Sequence, residues 1–316
     1  MLLTIAAVAV AAPAFAQSYP AKPVTVVVPF APGGTTDIIM RHVASKVQDA
    51  FGQPMIVENK GGAGGAIGAN QTRNAVADGY QLGVGTVSTT ATVPAIDPKA
   101  GYNPTTDFTP IINMALTPNV IAVHPNFPAK DYKGFIAELK KNPEKYAYAS
   151  SGTGGIGHLQ TELFKMAAGV QMTHIPYKGA GPALNDVVAG QVLIIFDNMP
   201  SAIPHIKAGK LIPIAVASPE RLKAFPDVPT FKELGMDQVN RPAYYGVLGP
   251  KGLPKEVVDK VHAAVKKTLD LPEVRTKIED TGSLVLGNTP DEFAKQIVEE
   301  FAVYKKVVTD TKLKLD

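Results

Sequence analysis

Three glycine-rich turns, each lying between an apolar run and a helical pattern, contain the residue types that could bind a charged ligand. The first glycine turn is Gly33-Gly34-Thr35-Thr36-Asp37, the second covers residues 61–65, and the third covers residues 150–155. Such a turn leaves the first N–H groups of its helix unpaired, and the helix dipole makes that point mildly positive. The sequence therefore predicts anion-binding positions here. Because the first and third turns lie in different halves of the chain, they could face each other across a cleft.

The first glycine turn offers flexible backbone amides, the hydroxyls of Thr35 and Thr36, and the Asp37 carboxylate. Helix capping is the alternative interpretation, because Thr and Asp are common cap residues. The adjacent Gly33 and Gly34 favour close approach of the backbone to a ligand. Within this turn Asp37 is expected to brace the loop, since its carboxylate would repel an anion.

The third glycine turn opens a match to the G-x-G-x-x-G dinucleotide fingerprint over residues 152–157. That fingerprint also requires an acidic residue about twenty positions later, at the end of the next strand, to hold the ribose. The corresponding stretch, His174-Ile175-Pro176-Tyr177-Lys178, contains no acid. We therefore reject a dehydrogenase and expect no cofactor. An anion-binding turn remains, with hydroxyl donors from Ser151 and Thr153 beside Gly152 and Gly154.

The ligand class is indicated by which basic residues are missing from the turns. None of the three contains an arginine, and Lys60 is the only lysine nearby. Strong phosphate sites usually use arginine or a P-loop lysine. A carboxylate held by amides and hydroxyls therefore fits better than a nucleotide. The second glycine turn is equally compatible with a flexible connection.

Catalytic and metal sites have little support in the sequence. Ser150-Ser151-Gly152 is not a G-x-S-x-G nucleophile elbow, and His158 and His174 are each compatible with ordinary buried histidines. The chain has no cysteine, no H-x-x-x-H pattern and no Asp-rich calcium loop. We expect neither a catalytic residue nor a metal ligand, and a periplasmic hydrolase is the least favoured alternative.

The elements that would position these turns repeat about every thirty residues. Strand patterns at 24–28, 55–57 and 82–86 alternate with helical patterns, which is typical of βαβ units in a parallel sheet covered by helices. After a proline-punctuated passage the pattern restarts, with strands at 146–149, 173–175, 192–196 and 212–217. One further strand at 244–248 and two or three helices are too little for a third domain, so we expect them to complete the first.

This organisation predicts an α/β protein of two domains joined by two hinge crossovers, with a ligand cleft between them. Domain 1 would comprise residues 17–119 and 241–316, and domain 2 residues 120–240. Tyr177, Asp197 and Tyr245 fall at strand ends, where open α/β sheets form their crevices. Core packing is an equal alternative for the tyrosines.

Residues 1–16 contain no charge and end in Ala14-Phe15-Ala16. A short apolar run before a small-x-small site predicts a secretory signal peptide cleaved after Ala16, and a membrane anchor is the alternative. The full sequence, with 45% hydrophobic residues and a net charge of only +3, predicts a globular protein without nucleic-acid partners.

Ordered motifs over essentially the whole mature chain resemble the solute-binding proteins of tripartite tricarboxylate transporters, the Bug family. The motifs are Tyr19-Pro20-Ala21-Lys22-Pro23, Val28-Pro29-Phe30-Ala31-Pro32-Gly33-Gly34 with Asp37, Val57-Glu58-Asn59, Asp78-Gly79-Tyr80, Ser151-Gly152-Thr153-Gly154, Pro176-Tyr177-Lys178-Gly179 and Pro226-Asp227-Val228-Pro229-Thr230.

The resemblance implies a periplasmic binding protein of type II topology that closes like a flytrap on a small carboxylate. It further implies a monomer that delivers its ligand to membrane permease subunits. A partner of a receptor kinase would need the same fold. The ligand contacts expected from the resemblance and the residue patterns together are Phe30, Gly33, Gly34, Thr35, Thr36, Asp37, Ser88, Thr89, Ser151, Gly152, Thr153, Gly154, His158, Tyr177, Asp197 and Tyr245.

One departure from the family pattern concerns the wall of the expected ligand cleft, near the strand predicted at residues 244–248. Many relatives have a tryptophan before the glycine there, whereas this chain has Tyr244-Tyr245-Gly246 and no tryptophan at all. We expect this wall to accept a different or more polar ligand. Whether Lys178 pairs with a second ligand carboxylate is left open.

Overall fold

The computed structural model describes residues 19–314, so the predicted signal peptide lies outside the described residues. The chain forms two β-sheets flanked by helices, in the two-domain type II arrangement that the resemblance implied. The six-stranded sheet has the order β11-β4-β10-β3-β1-β2, and the five-stranded sheet the order β7-β6-β8-β5-β9. The strands are β1 Val24–Val28, β2 Met55–Asn59, β3 Gln81–Thr86, β4 Phe108–Thr117, β5 Asn119–Val123, β6 Ala147–Ser150, β7 Thr173–Pro176, β8 Ile194–Asn198, β9 Ile212–Ala217, β10 Ala243–Pro250 and β11 Leu284–Val285.

The helices follow the predicted alternation, and several begin or end at residues that the sequence marks. Gly52 ends α2 and Gly169 ends α6, both in the left-handed conformation. Thr289 and Glu292 form a capping box at the start of α11. The helices are α1 Thr35–Ala44, α2 Gln48–Phe51, α3 Ala66–Arg73, α4 Val93–Ile96, α5 Tyr132–Lys141, α6 Ile156–Ala168, α7 Ala180–Val188, α8 Met199–Lys207, α9 Lys255–Leu269, α10 Pro272–Glu279 and α11 Pro290–Thr311.

The parallel pairing expected for the βαβ units is confirmed, and both sheets are mixed because they also contain antiparallel strands. β1 pairs in parallel with β2 and β3, but β10 runs antiparallel to β3 and β4. In the second sheet β5 runs antiparallel to β8 and β9. The chain enters the second sheet through β5, directly after β4, and returns to the first sheet through β10, after β9. The short β11 also pairs antiparallel with β4.

Two crossovers therefore join the halves, one at Pro118 between β4 and β5 and one just before β10. The Asn119 side-chain amide donates to Gln160 Oε1 at 2.8 Å and to the Arg241 carbonyl at 2.9 Å, which ties the two crossovers together. The boundaries predicted from the sequence, at 119/120 and 240/241, lie beside these residues, and we keep them as a proposal. Each sheet is covered by its own apolar clusters.

Candidate functional site

A small cavity of about 20 Å³ lies where the carboxyl ends of β1 and β3 meet the carboxyl ends of β6 and β8. That volume is little more than one buried water molecule needs, so the two halves are nearly closed on each other here. Polar groups from both sheets reach it, together with a few apolar side chains. The lining residues are Phe30, Gly34, Thr35, Thr36, Thr86, Val87, Ser88, Ser151, Ile156, Ala180, Asn198, Ala243 and Tyr245.

The first glycine turn brings the start of α1 to this cavity. Gly33 takes a φ of +83°, and Gly34 is the N-cap residue of α1. The first N–H to bond within the helix belongs to Ile38, which donates to the Gly34 carbonyl at 3.0 Å. The amides of the three preceding residues therefore lie at the positive end of the helix dipole, with Thr35 and Thr36 lining the cavity.

Asp37 holds the first glycine turn in place through hydrogen bonds. Its carboxylate accepts hydrogen bonds from the Gly33 N–H at 3.1 Å, from Arg41 Nε at 2.9 Å and from Asn59 Nδ2 at 2.9 Å. Burial raises the pKa of Asp37, but the bonds from Arg41, Asn59 and Gly33 outweigh it and leave the pKa below its ordinary value. The carboxylate is not among the lining groups, so its geometry is that of a loop brace.

The third glycine turn faces the first from the second sheet, but several of its amides are used within the protein. The Ile156 N–H donates to Ser88 Oγ of the first half at 3.0 Å. The Gly154 N–H donates to His158 Nδ1 at 3.0 Å, and the Gly152 N–H to Ser150 Oγ at 3.2 Å. Ser151 is the member of this turn that lines the cavity.

Two stacked histidines pack against the third glycine turn. The rings of His158 and His174 are 3.9 Å apart and nearly parallel, and His174 Nε2 is 2.6 Å from Ser150 Oγ. Burial, followed by His158 and Lys165, lowers the pKa of His174 to about 3. The His174 ring is therefore neutral at physiological pH, as expected for a packed histidine rather than an acid–base catalyst.

Direct hydrogen bonds close the cleft beside the cavity. Thr35 Oγ1 lies 2.8 Å from Ser201 Oγ on α8 and accepts from the Ser201 N–H at 3.2 Å. Ser201 Oγ in turn donates to Asp197 Oδ2 at 2.7 Å. The Ala31 N–H donates to the Lys178 carbonyl at 3.0 Å. The two halves thus meet through side chains and backbone at the cavity rim.

Asp197 is a buried acid behind the cavity wall. Burial raises the pKa of Asp197 to about 6, although the Ser201 hydroxyl and the Asn198 N–H partly offset that effect. Its neighbour Asn198 lines the cavity. Burial, and then the Asp197 charge, raise the pKa of Tyr245, so this lining phenol stays neutral.

The second glycine turn also lies against the other half. A Cβ on Gly64 would lie 2.4 Å from the Thr153 carbonyl oxygen, and one on Gly61 would lie 2.4 Å from the Lys178 carbonyl oxygen. Only glycine permits so close an approach. This turn contributes contact between the two halves but is not part of the cavity lining.

The structure brings seven of the sixteen predicted ligand residues to the cavity: Phe30, Gly34, Thr35, Thr36, Ser88, Ser151 and Tyr245. The others lie behind or beside the wall, and their contact with a ligand stays a prediction. Tyr177, for example, donates from its hydroxyl to Asp186 Oδ2 at 2.7 Å, while the exposed Lys178 contributes only its carbonyl to the interface. The remaining predicted residues outside the lining are Gly33, Asp37, Thr89, Gly152, Thr153, Gly154, His158 and Asp197.

Sequence reasoning missed several lining residues. Thr86 ends β3, Val87 follows it, and Asn198 ends β8, so a consistent search of strand ends would have found them. Ala180 and Ala243 carry no polar group and gave no signal. Ser201 was also missed, because it lies inside a helix and meets Thr35 only in the folded chain.

The lining contains hydroxyls, amides and aromatic rings but no lysine or arginine among the described residues. Within residues 19–314, no group of three or more His, Cys, Asp or Glu side chains is placed to hold a metal ion. In the same range no helix is both long and apolar enough to cross a membrane. The arrangement provides hydrogen-bond donors from both halves and the start of α1 for a small anion.

Comparisons with known proteins agree with this geometry. Protein BugT of Bordetella pertussis is 35% identical over 312 residues, covering 98% of this chain and 96% of its own. A solved periplasmic transporter is 53% identical with a TM-score of 0.93, covering 95% of this chain and all of that one. MatC from Rhodopseudomonas palustris with bound malate is 35% identical with a TM-score of 0.88, over 92% of this chain and 100% of its own.

The family model described as the tripartite tricarboxylate transporter family receptor matches residues 39–313. That match covers most of the chain, including both crossovers, the second sheet and every strand of the first sheet except β1. The chain therefore belongs to the family of tripartite tricarboxylate transporter receptors.

Proposed function

We propose that the protein captures a small organic carboxylate in the cavity between its two sheets and delivers it to the permease subunits of a tripartite tricarboxylate transporter. The malate bound by the similar MatC supports a carboxylate of a few carbon atoms. Export behind a signal peptide of residues 1–16, a monomeric state and binding without turnover are parts of the same proposal.

The observation that carries this proposal is the convergence of neutral donors on one cavity. The α1 start supplies the backbone and hydroxyls of Thr35 and Thr36, and Ser88 and Ser151 add hydroxyls from both halves. Helix starts favour negative charge by about 0.3–1 kcal/mol each when exposed, and by more when partly buried. A carboxylate can therefore be held without a cationic side chain.

The test is a thermal-melt screen of residues 17–316 against malate, other dicarboxylates, amino acids and aromatic acids, with calorimetry on each acid that raises the midpoint. Ligand at one hundred times its Kd stabilises a folded protein by about 2.7 kcal/mol. The expected result is one-to-one binding of an unchanged carboxylate, which chromatography recovers intact. No shift with any acid, or conversion of the bound acid, would contradict the proposal.

Thr36→Val and Ser151→Ala are the informative variants, because each removes a lining hydroxyl while changing little volume. Asp131→Asn serves as the control. Asp131 caps α5 away from the cleft, and asparagine is an equally good cap. We expect weaker binding in the two cavity variants and unchanged binding in the control.

A further inference from the structure

The hydrogen bonds among Thr35, Ser201 and Asp197 fix which atom of Thr35 is offered to a ligand. The single hydroxyl hydrogen of Ser201 can go to Asp197 Oδ2 at 2.7 Å or to the Asn198 carbonyl at 3.1 Å. An ionised carboxylate is the stronger acceptor. With Asp197 ionised, Ser201 therefore donates to it, and Thr35 donates to Ser201 Oγ. The Thr35 hydroxyl hydrogen is then committed away from the cavity.

Protonation of Asp197 reverses the direction in which these hydrogen bonds donate. The acid hydrogen on Asp197 would then donate to Ser201 Oγ, and the Ser201 hydroxyl would turn toward Thr35 Oγ1 or the Asn198 carbonyl. The Thr35 hydroxyl, which lines the cavity, becomes free to donate to a ligand carboxylate.

We propose that Asp197 is a proton-accepting positioning residue, so that capture of a carboxylate in the cleft is coupled to the uptake of about one proton through the Thr35–Ser201–Asp197 relay. This inference rests on the proposed function. Asp197 itself is not expected to touch the ligand, because it lies one hydrogen bond behind the wall.

One further physical effect acts in the same direction as the relay. A ligand anion in the cavity would lie close to the Asp197 carboxylate, and two like charges at such a site favour protonation of one of them. This repulsion makes Asp197 bind its proton more tightly when ligand is present.

Within residues 19–314, Asp197 forms no ion pair with a lysine, arginine or histidine. Tyr245 from β10 is the ionisable group whose pKa responds to the Asp197 charge. The facing residue on β5 is Val120. Acids and bases on the neighbouring helices have other partners. Asp37 pairs with Arg41 on α1, and Asp186 accepts from Tyr177 on α7. On α6, Glu162 pairs with Lys165 and accepts from Tyr148, while His158 accepts from the Gly154 N–H. His205 and Lys207 lie in the last turn of α8.

The experiment is calorimetry of the wild-type protein with malate, or with whichever acid of the screen binds, between pH 6.5 and pH 8. Free carboxylic acids of this class are ionised throughout that range, because their ordinary pKa values lie near about 4. At each pH the titration is repeated in two buffers of different ionisation enthalpy, neither of them a carboxylate or phosphate. The difference in observed heat gives the number of protons taken up.

Between the pKa of Asp197 in the ligand-free protein and its higher pKa in the complex, we expect net uptake approaching one proton and an affinity that falls by up to about tenfold per pH unit. Asp197→Asn should bind with no proton uptake and a flat pH profile, because its amide can donate permanently to Ser201. Asp131→Asn, the same exchange at a distant helix cap, should behave as the wild type.

The possible outcomes separate the relay from carboxylate capture. Measurable binding to the wild type with no proton uptake would overturn the relay while leaving carboxylate capture intact, as would undiminished uptake by Asp197→Asn. Failure of every acid to bind would overturn the proposed function and the relay together. If Asp197→Asn does not fold, the proton count of the wild type decides alone.

Discussion

Gly181 offers a way to block closure of the cleft without weakening the fold. It is the second residue of α7, and a Cβ built on it would lie 2.1 Å from the Pro32 carbonyl oxygen of the opposite half. Ordinary contacts of this kind are at about 3.5–4.0 Å. The two halves would therefore have to separate by roughly 1 Å or more at this point.

The expected cost falls on the closed state alone. Overpacking of a tight contact costs about 1–3 kcal/mol, which corresponds to about five- to 150-fold weaker ligand binding. Within α7 itself alanine is favoured over glycine, by up to about 1 kcal/mol in a helix interior. Gly181→Ala should therefore leave the ligand-free melting temperature unchanged or raise it while it weakens capture.

Calorimetry gives the affinity, and small-angle scattering with and without ligand reports the compaction. Gly134→Ala is a matched control, because it also lies in the first turn of a helix but its Cβ would face Ala129 of the same half. We expect wild-type affinity and compaction in the control. Wild-type affinity and full compaction in Gly181→Ala would refute the assignment of the Pro32 contact to the ligand-bound state.

Three other substitutions test separate parts of the structure. Ser88→Ala removes the acceptor of the Ile156 N–H across the cleft, so calorimetry should show about two- to tenfold weaker binding with little change in ligand-free melting. Asp37→Asn loses charge-assisted bonds within the first turn and should melt at a lower temperature at pH 7. The pKa of Asp37 is lower in the folded protein than its ordinary value, so ionised Asp37 stabilises the fold at pH values above that ordinary value. This stabilisation is lost as the pH falls through the lowered pKa. The difference in melting temperature between the wild type and Asp37→Asn should therefore shrink below about pH 4. Arg241→Ala breaks a two-bond ion pair with Glu300 beside the hinge and should lower the melting temperature, while Lys255→Ala, on an exposed pair, should not.

Local signals in the sequence were sufficient to predict many of the elements but not their pairing. β1 has the predicted bounds because a run of β-branched residues enters a glycine turn. β4 and β5 were missed, because the prolines at 110 and 118 were interpreted as breaks. In the structure Pro110 lies opposite Leu248, next to an irregularity in the β4–β10 register, where a proline does not cost a regular ladder bond.

The same limit applies to the site. The glycine turns could be predicted, because backbone conformation and helix capping are properties of a few neighbouring residues. Ser201 could not, since its role depends on the approach of Thr35, which is 166 residues away. Asp197 was identified by its strand-end position, but only the structure shows that it lies behind the wall and that Asn198 faces the cavity.

The glycine turns also explain how closure could remain dependent on ligand. The direct bonds across the rim include Thr35 to Ser201, Ile156 to Ser88 and Ala31 to Lys178. Each of these bonds contributes only about 0.5–1.5 kcal/mol net to the stability of the closed state.

The surfaces between these bonds are largely backbone against backbone, as where Gly64 meets Gly152, and such contacts bury little apolar area. With larger apolar side chains at these positions, the hydrophobic effect would add about 25 cal/mol per Å² buried and would favour closure without ligand. Glycine has no side chain to make that contribution. A carboxylate that makes a few hydrogen bonds to both halves can therefore shift the equilibrium from the open to the closed state.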